Sequence, residues 1–129
     1  MNLAQGAYRR TACPVVTGAA TPHEIVSATL RQLVRSLEVL EAAQRQGRPY
    51  QSEVLNRALT TIFILQSSLD FDKGENIAQE LFQLYEFCRY QVCKAWKGEA
   101  DTRLAEAVFA MSEIFDAWEG IGTQARQFA

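Results

Sequence analysis

The sequence has little of what catalytic, metal-binding, membrane-spanning or disulfide-stabilised proteins usually need. Its 129 residues include one histidine, and its three cysteines lack the spacing of a metal site or a disulfide framework: Cys13, Cys88 and Cys93. We therefore expect reduced thiols and a location in the cytoplasm. The longest aliphatic or aromatic run, residues 62–65, is far too short to cross a bilayer. The first twenty residues also lack the pattern of a secretory signal.

The sequence also lacks an excess of charge of either sign. The chain has 13 basic and 15 acidic side chains, which gives a formal net charge of −2. No basic excess is available to neutralise phosphates, so nucleic acid is not an expected partner. We find no glycine-rich phosphate loop, no carboxylate pair on an apolar helix face and no nucleophile beside a base. The sequence therefore predicts a protein that is not an enzyme and needs no cofactor.

What the sequence does contain is a repeated helical pattern. In four segments, apolar residues recur at spacings of three and four, which is typical of one face of an α-helix. Thr21 and Pro22 form a strong start for the first helix, Gly47 and Gly98 are expected stops, and Asp101 is the expected cap of the fourth helix. Short connections between four such segments predict an all-α, up-down antiparallel four-helix bundle.

The predicted organisation has three parts. Residues 1–20 show no lasting period and are expected to form an extended N-terminal arm. Residues 21–122 are expected to form the helical bundle, and residues 123–129 a C-terminal tail. Gly120 and Gly122 weaken the fourth helix beyond Trp118, which leaves room for a short extra C-terminal turn.

The break between the second and third helices is the most informative stretch. We expect Asp72 to cap the third helix, with Glu75 as its capping-box partner. From spacing alone, this stretch predicts a helical hairpin and nothing more. The third helix nevertheless carries more aromatic residues than one stripe can hide: Phe82, Tyr85 and Phe87. Two interpretations stay open, since the bundle could cover these rings or keep an apolar groove for a partner helix.

The residues around this break resemble the FliS family of flagellar export chaperones. The resemblance covers residues 21–118 and rests on the order and spacing of Ser68-Leu69-Asp70, Lys73-Gly74, Ile77-Ala78, Leu81 and Leu84-Tyr85, together with Asn56, Ala58 and Ala117-Trp118. It implies an all-helical bundle and a cytoplasmic type III export chaperone. Such a chaperone is expected to bind the C-terminal helical region of flagellin, prevent premature polymerisation and pass the client to the flagellar export apparatus.

The sequence departs from the family pattern at two places. The family usually has a Leu-Tyr-Asp-Gly run in the first helix, where this chain has Thr29-Leu30-Arg31-Gln32. Tyr8 also lies farther from the Thr21-Pro22 helix start than the family's tyrosine does. Contacts with a client or with another subunit are therefore expected to differ near these residues.

The resemblance and the surplus apolar residues together give a set of candidate partner-binding residues. The arm is expected to lie over the empty groove and to be displaced or recruited when a client binds. The sequence leaves open which flagellin is the client and whether the chain forms a homodimer without one. The candidates are Tyr8, Val15, Val16, Ile25, Ile62, Phe63, Leu69, Ile77, Ala78, Leu81, Phe82 and Tyr85.

An alternative from another class is a histidine phosphotransfer domain, a four-helix signalling bundle of similar size. Such a domain needs an exposed histidine in the middle of a helix. His23 falls instead in the first turn of the first helix, where the helix dipole disfavours a protonated imidazole. The sequence therefore favours the chaperone over this alternative.

Overall fold

The computed structural model describes residues 20–127 of the chain. The predicted arm, with Tyr8, Val15 and Val16, therefore lies outside the described residues except for Ala20. The four helices are α1 (Pro22–Arg45), α2 (Ser52–Ser67), α3 (Phe71–Trp96) and α4 (Leu104–Gln127). Within residues 20–127, none of these helices has an apolar stretch long enough to span a membrane.

The start and end of α1 confirm the sequence prediction. The Thr21 hydroxyl oxygen accepts a hydrogen bond of 3.1 Å from the backbone N–H of Glu24, and Pro22 opens the first turn. After the helix, Gly47 has a φ of +66°, a left-handed conformation that glycine adopts without a steric penalty. The chain therefore turns at this residue toward α2.

The cap of α3 differs from the prediction. Asp70 is the capping residue, because its Oδ1 atom accepts hydrogen bonds of 3.0 Å from the backbone N–H groups of Asp72 and Lys73. The expectation that Asp72 caps the helix was wrong, since the helix starts one residue before it. Glu75 is not a capping-box partner either. Its backbone has a φ of 50° and a ψ of −130°, a conformation that residues other than glycine rarely adopt, and the helix is interrupted there after one turn.

The expectation that Asp101 caps α4 was also wrong. The helix begins at Leu104, and the Asp101 carboxylate pairs with the Lys94 ammonium group at 3.2 Å. A hydrogen bond and the positive charge from Lys94 lower the pKa of the Asp101 carboxyl. The buried Gln91 side chain of α3 contacts the chain just before the helix, because its Oε1 atom accepts a hydrogen bond of 2.7 Å from the backbone N–H of Arg103. This bond ties the residue that precedes α4 to α3.

The four helices pack as the predicted four-helix bundle. Helix α1 packs against α2 and α4, and α3 packs against the same two helices on the other side. Helices α3 and α4 are the adjacent pair that packs together least extensively. Helix α4 also continues through Gly120 and Gly122, because each glycine weakens an established helix by only about 1 kcal/mol. The largest fully buried side chains come from all four helices and include Leu30, Leu33, Leu37, Ile62, Leu65, Tyr85, Val92, Leu104 and Met111.

Candidate functional site

Five of the candidate partner-binding residues lie in the core of the bundle. These are Ile62, Leu69, Ala78, Leu81 and Tyr85, each less than a tenth exposed. Their side chains join α2, α3 and the segment between them to the other helices. In this conformation they hold the surrounding surface in place rather than forming it.

Four other candidates reach the surface. Phe63 on α2 is 69% exposed, and Ile25, Ile77 and Phe82 are half-buried. The Phe82 ring meets the ring of Phe71 edge-on, with 6.0 Å between their centroids. This aromatic contact joins the first turn of α3 to the remainder of the helix, on either side of the kink at Glu75.

Two open hollows lie beside α3 and meet at the same residues. The first has a volume of about 990 Å³ and is lined by Phe71, Asn76, Gln79, Glu80, Phe82, Gln83, Leu84 and Phe87. The second, of about 470 Å³, lies between α3 and α4 and is lined by Leu84, Phe87, Ala105, Glu106, Phe109 and Ala110. Both hollows include Leu84 and Phe87, so they form one continuous surface. We call its apolar part the aromatic trough, defined as Phe71, Phe82, Leu84, Phe87 and Phe109.

The aromatic trough leaves much of its apolar area in contact with water. Phe71 is 45% exposed and Phe109 is 69% exposed, while Phe82, Leu84 and Phe87 are half-buried. A contiguous apolar surface of this kind, bordered by polar side chains, is typical of a protein-binding site on a soluble domain. The trough therefore supports the interpretation that the surplus aromatic residues form an apolar groove for a partner helix.

Four of the five residues of the trough were not among the candidate partner-binding residues, which include only Phe82. Leu84 and Phe87 lie on α3, where Leu84 was assigned to the apolar stripe and Phe87 to the surplus aromatic residues. Phe109 lies outside the apolar stripe of α4, and Phe71 lies in the break that was expected to precede α3. A usable signal for Phe109 was present. It is a large aromatic residue on the polar side of an amphipathic helix, where burial in the bundle could not account for it.

The borders of the trough carry hydrogen-bonded charges and neutral amides. The Arg103 guanidinium group lies 5.2 Å from the centre of the Phe87 ring and also pairs with Glu106. The hydrogen bond from Arg103 is the main reason why the pKa of Glu106 is lowered. Within the described part of the chain, Glu80 makes no ion pair. The remaining polar lining of the first hollow consists of Asn76, Gln79 and Gln83.

A second polar contact fixes α2 against α3 next to the trough. The Gln66 amide donates a hydrogen bond of 2.8 Å to the Glu86 carboxylate. Glu86 also accepts hydrogen bonds from Arg89, the shortest of them 2.7 Å long. These bonds, first from Arg89 and then from Gln66, lower the pKa of Glu86. The carboxylate therefore stays charged near neutral pH and holds α2 and α3 together beside Phe82.

His23 takes a structural position at the end of the bundle. Its ring stacks on the ring of Trp118, with 4.5 Å between centroids and 9° between planes. The Trp118 indole N–H donates a hydrogen bond of 3.0 Å to the His23 carbonyl oxygen. These contacts join the first turn of α1 to α4. The half-buried position in a first turn gives no support to the phosphotransfer alternative.

The chemical groups of the described residues do not suggest a reaction centre. Burial raises the pKa of the Cys88 thiol to about 12, so this thiol stays protonated and unreactive near neutral pH. Between residues 20 and 127, no group of three or more histidine, cysteine or acidic side chains is arranged to hold a metal ion. The aromatic trough is therefore the feature from which a function can be argued.

Comparison with known proteins gives matches over nearly the whole chain. The family model described as "Flagellar protein FliS" matches residues 2–125. The flagellar secretion chaperone FliS of Vibrio cholerae is 33% identical over 116 residues, which cover 89% of this chain and 85% of that protein. The flagellar secretion chaperone FliSB of Pseudomonas aeruginosa is 24% identical over 115 residues, which cover 88% of this chain and 91% of that protein.

Proposed function

This chain belongs to the FliS family of flagellar secretion chaperones, and from this premise we propose that its client is the C-terminal helical region of flagellin. In this proposal, the protein binds that region in the cytoplasm and prevents flagellin from polymerising early. It then delivers the client to the flagellar export apparatus. The observation that carries the proposal is the aromatic trough along α3 and α4.

The trough suits a client that is amphipathic and unfolded before assembly. Such a segment exposes an apolar stripe that must be covered in the cytoplasm, and helix-in-groove contacts with Phe87 and Phe109 can cover it. Ordering an unfolded segment costs on the order of 2–5 kcal/mol, so a long contact surface is needed. The two joined hollows supply a surface that extends from the first turn of α3 to the second turn of α4.

The polar lining suits reversible binding. Three neutral amides and the carboxylate of Glu80 border the first hollow, so a bound segment would meet hydrogen-bonding groups beside the aromatic rings. Binding and release of this kind need no covalent step and no cofactor. We propose that the protein acts by covering the client rather than by chemical modification of it.

Calorimetric titration tests the proposal directly. The full chain is titrated with a synthetic peptide that spans the C-terminal segment of flagellin from the same organism. A scrambled peptide of equal composition is the control, because it keeps the charges and loses the apolar stripe. We expect a complex with a Kd in the micromolar range or tighter for the native order alone, and co-elution on gel filtration. No heat and no complex at micromolar concentrations would contradict the proposal.

The same gel-filtration experiment addresses self-association. If the empty trough pairs with a second copy of the chain, the free protein should elute as a dimer. The flagellin peptide should then convert the dimer to a complex that contains one copy of this chain. A free protein that stays monomeric at high concentration would exclude this pairing.

A further inference from the structure

A third hollow lies between α1 and α2 and shares no lining residue with the aromatic trough. Its volume is about 370 Å³. Helix α1 supplies most of the lining, and α2 supplies two side chains. The lining residues are Ala28, Arg31, Gln32, Arg35, Ser36, Val39, Val54 and Arg57. We call this surface the arginine hollow.

The arginine hollow is cationic, since three guanidinium groups line it and no carboxylate does. Arg31 pairs with Glu119 of α4 at 3.2 Å, and Arg57 pairs with Glu53 one turn earlier on α2 at 3.1 Å. The side chains of both pairs are between 35% and 82% exposed, and ion pairs in contact with water stabilise a protein by at most about 1 kcal/mol. An incoming carboxylate could therefore exchange with either of them. Arg35 makes no ion pair and no side-chain hydrogen bond with any residue between 20 and 121.

The hollow also has an apolar side. Val39 is 50% exposed, and Val54 lies buried beneath the hollow. A bare anion would leave Val39 in water, whereas a segment with both carboxylates and apolar side chains would cover it. This combination of arginine and exposed valine therefore fits an acidic amphipathic segment of a protein.

Other anionic partners fit the hollow less well. The net charge of the whole chain is −2, so the chain outside the hollow offers no cationic excess to neutralise the many phosphates of RNA or of an anionic membrane, whereas a short acidic segment needs only the guanidinium groups of the hollow. The ends of this chain do not supply the segment either. Residues 1–19 and 120–129 contain no aspartate and no glutamate.

We propose that the arginine hollow is a second docking site, which binds an acidic amphipathic segment of a partner protein while the trough stays free for another occupant. Arg35 forms the main ion pair with that segment, and Val39 supplies the apolar contact. The arginine hollow and the two hollows of the trough share no lining residue, so both surfaces can be occupied at once.

The test uses a fluorescein-labelled helical peptide of glutamate, alanine and leucine, with a glutamine version as the neutral control. Fluorescence anisotropy at low salt should show saturable binding of the acidic peptide that weakens as salt is added. The Arg35→Glu variant should weaken this binding about tenfold, because it removes one attraction and adds one repulsion. Arg48→Glu is the matched control, since Arg48 is also exposed, lies outside the hollow and changes the net charge equally. The control variant should bind like the wild type.

A nuclear magnetic resonance titration of the nitrogen-15-labelled protein with unlabelled peptide locates the site. The acidic peptide should shift the backbone resonances of Gln32, Ser36 and Val39, and the flagellin peptide should not displace it. Equal losses in the Arg35→Glu and Arg48→Glu variants would overturn the proposal, because binding would then follow net charge alone. Displacement by the flagellin peptide would also overturn it. So would binding of an RNA oligonucleotide or of anionic vesicles with the same dependence on Arg35.

Discussion

Replacing Phe109 with serine should weaken client binding while leaving the fold intact. In the free protein, 69% of Phe109 is exposed, so most of its area is available for burial by a client. Full burial of a phenylalanine side chain stabilises a complex by about 1.5–3 kcal/mol. The fraction that is still exposed corresponds to about 1–2 kcal/mol. We therefore expect the affinity for the flagellin peptide to fall about five- to thirtyfold.

Calorimetric titration of wild type and variant with the same peptide gives the two affinities. Tyr90→Ser is the matched control, since Tyr90 on α3 is 61% exposed and lines none of the three hollows. Urea denaturation should show that both variants keep the wild-type free energy of unfolding within about 0.5 kcal/mol. Unchanged affinity of the Phe109→Ser variant would refute the assignment of the trough, and so would an equal loss in the control.

Four further predictions concern the bundle and the arm. Glu75→Gly should raise the free energy of unfolding by about 1 kcal/mol in urea, because glycine tolerates the φ of 50° at this kink. Gln91→Leu should lower that free energy by roughly 1 kcal/mol in the same assay, because the start of α4 loses its hydrogen-bond acceptor. Burial raises the pKa of Cys88 to about 12, above the value of about 8.5 for an unfolded thiol, so protonated Cys88 favours the folded state. This contribution is complete below the unfolded pKa and is lost as the pH rises above about 9, and Cys88→Ala should reduce the resulting slope in urea titrations at successive pH values. Deleting residues 1–17 should change the calorimetric affinity for the flagellin peptide without changing the melting temperature, and an unchanged affinity would exclude a role for the arm.

The number and order of the helices could be predicted because the signals are local. Apolar residues at spacings of three and four identify a helix face without knowledge of its neighbours. The Thr21-Pro22 start and the Gly47 and Gly98 stops were confirmed for the same reason, since a cap depends on only a few adjacent residues.

The starts of α3 and α4 depend on contacts between helices, so local rules failed there. Asp70 and Asp72 are both acceptable caps by residue type. In the structure Asp70 is the cap, and Leu69 immediately before it is fully buried. At α4, the acceptor for the backbone N–H of Arg103, the residue before the helix, comes from Gln91 of the preceding helix.

The surface could be predicted in kind but not residue by residue. Surplus aromatic residues on α3 left two interpretations open, either rings covered by the bundle or an apolar groove, and Phe82 and Phe87 do line the trough. Tyr85 is fully buried, although it is aromatic and lies on α3 as Phe82 and Phe87 do. The margin of a bundle and a docking surface use the same amino acids, so the rotation of each helix decides between them, and that rotation is set by packing.

Photo-crosslinking from the aromatic trough tests the central claim most directly. Phe109 is replaced by the photoreactive phenylalanine analogue p-benzoylphenylalanine, which keeps an aromatic ring at this position, and Tyr90 is replaced in the same way as the control. Irradiation with full-length flagellin should crosslink the first variant to the C-terminal region of flagellin and should leave the second largely uncrosslinked. Crosslinks from the Phe109 position to other regions of flagellin, or none at all while the complex is intact, would contradict the account.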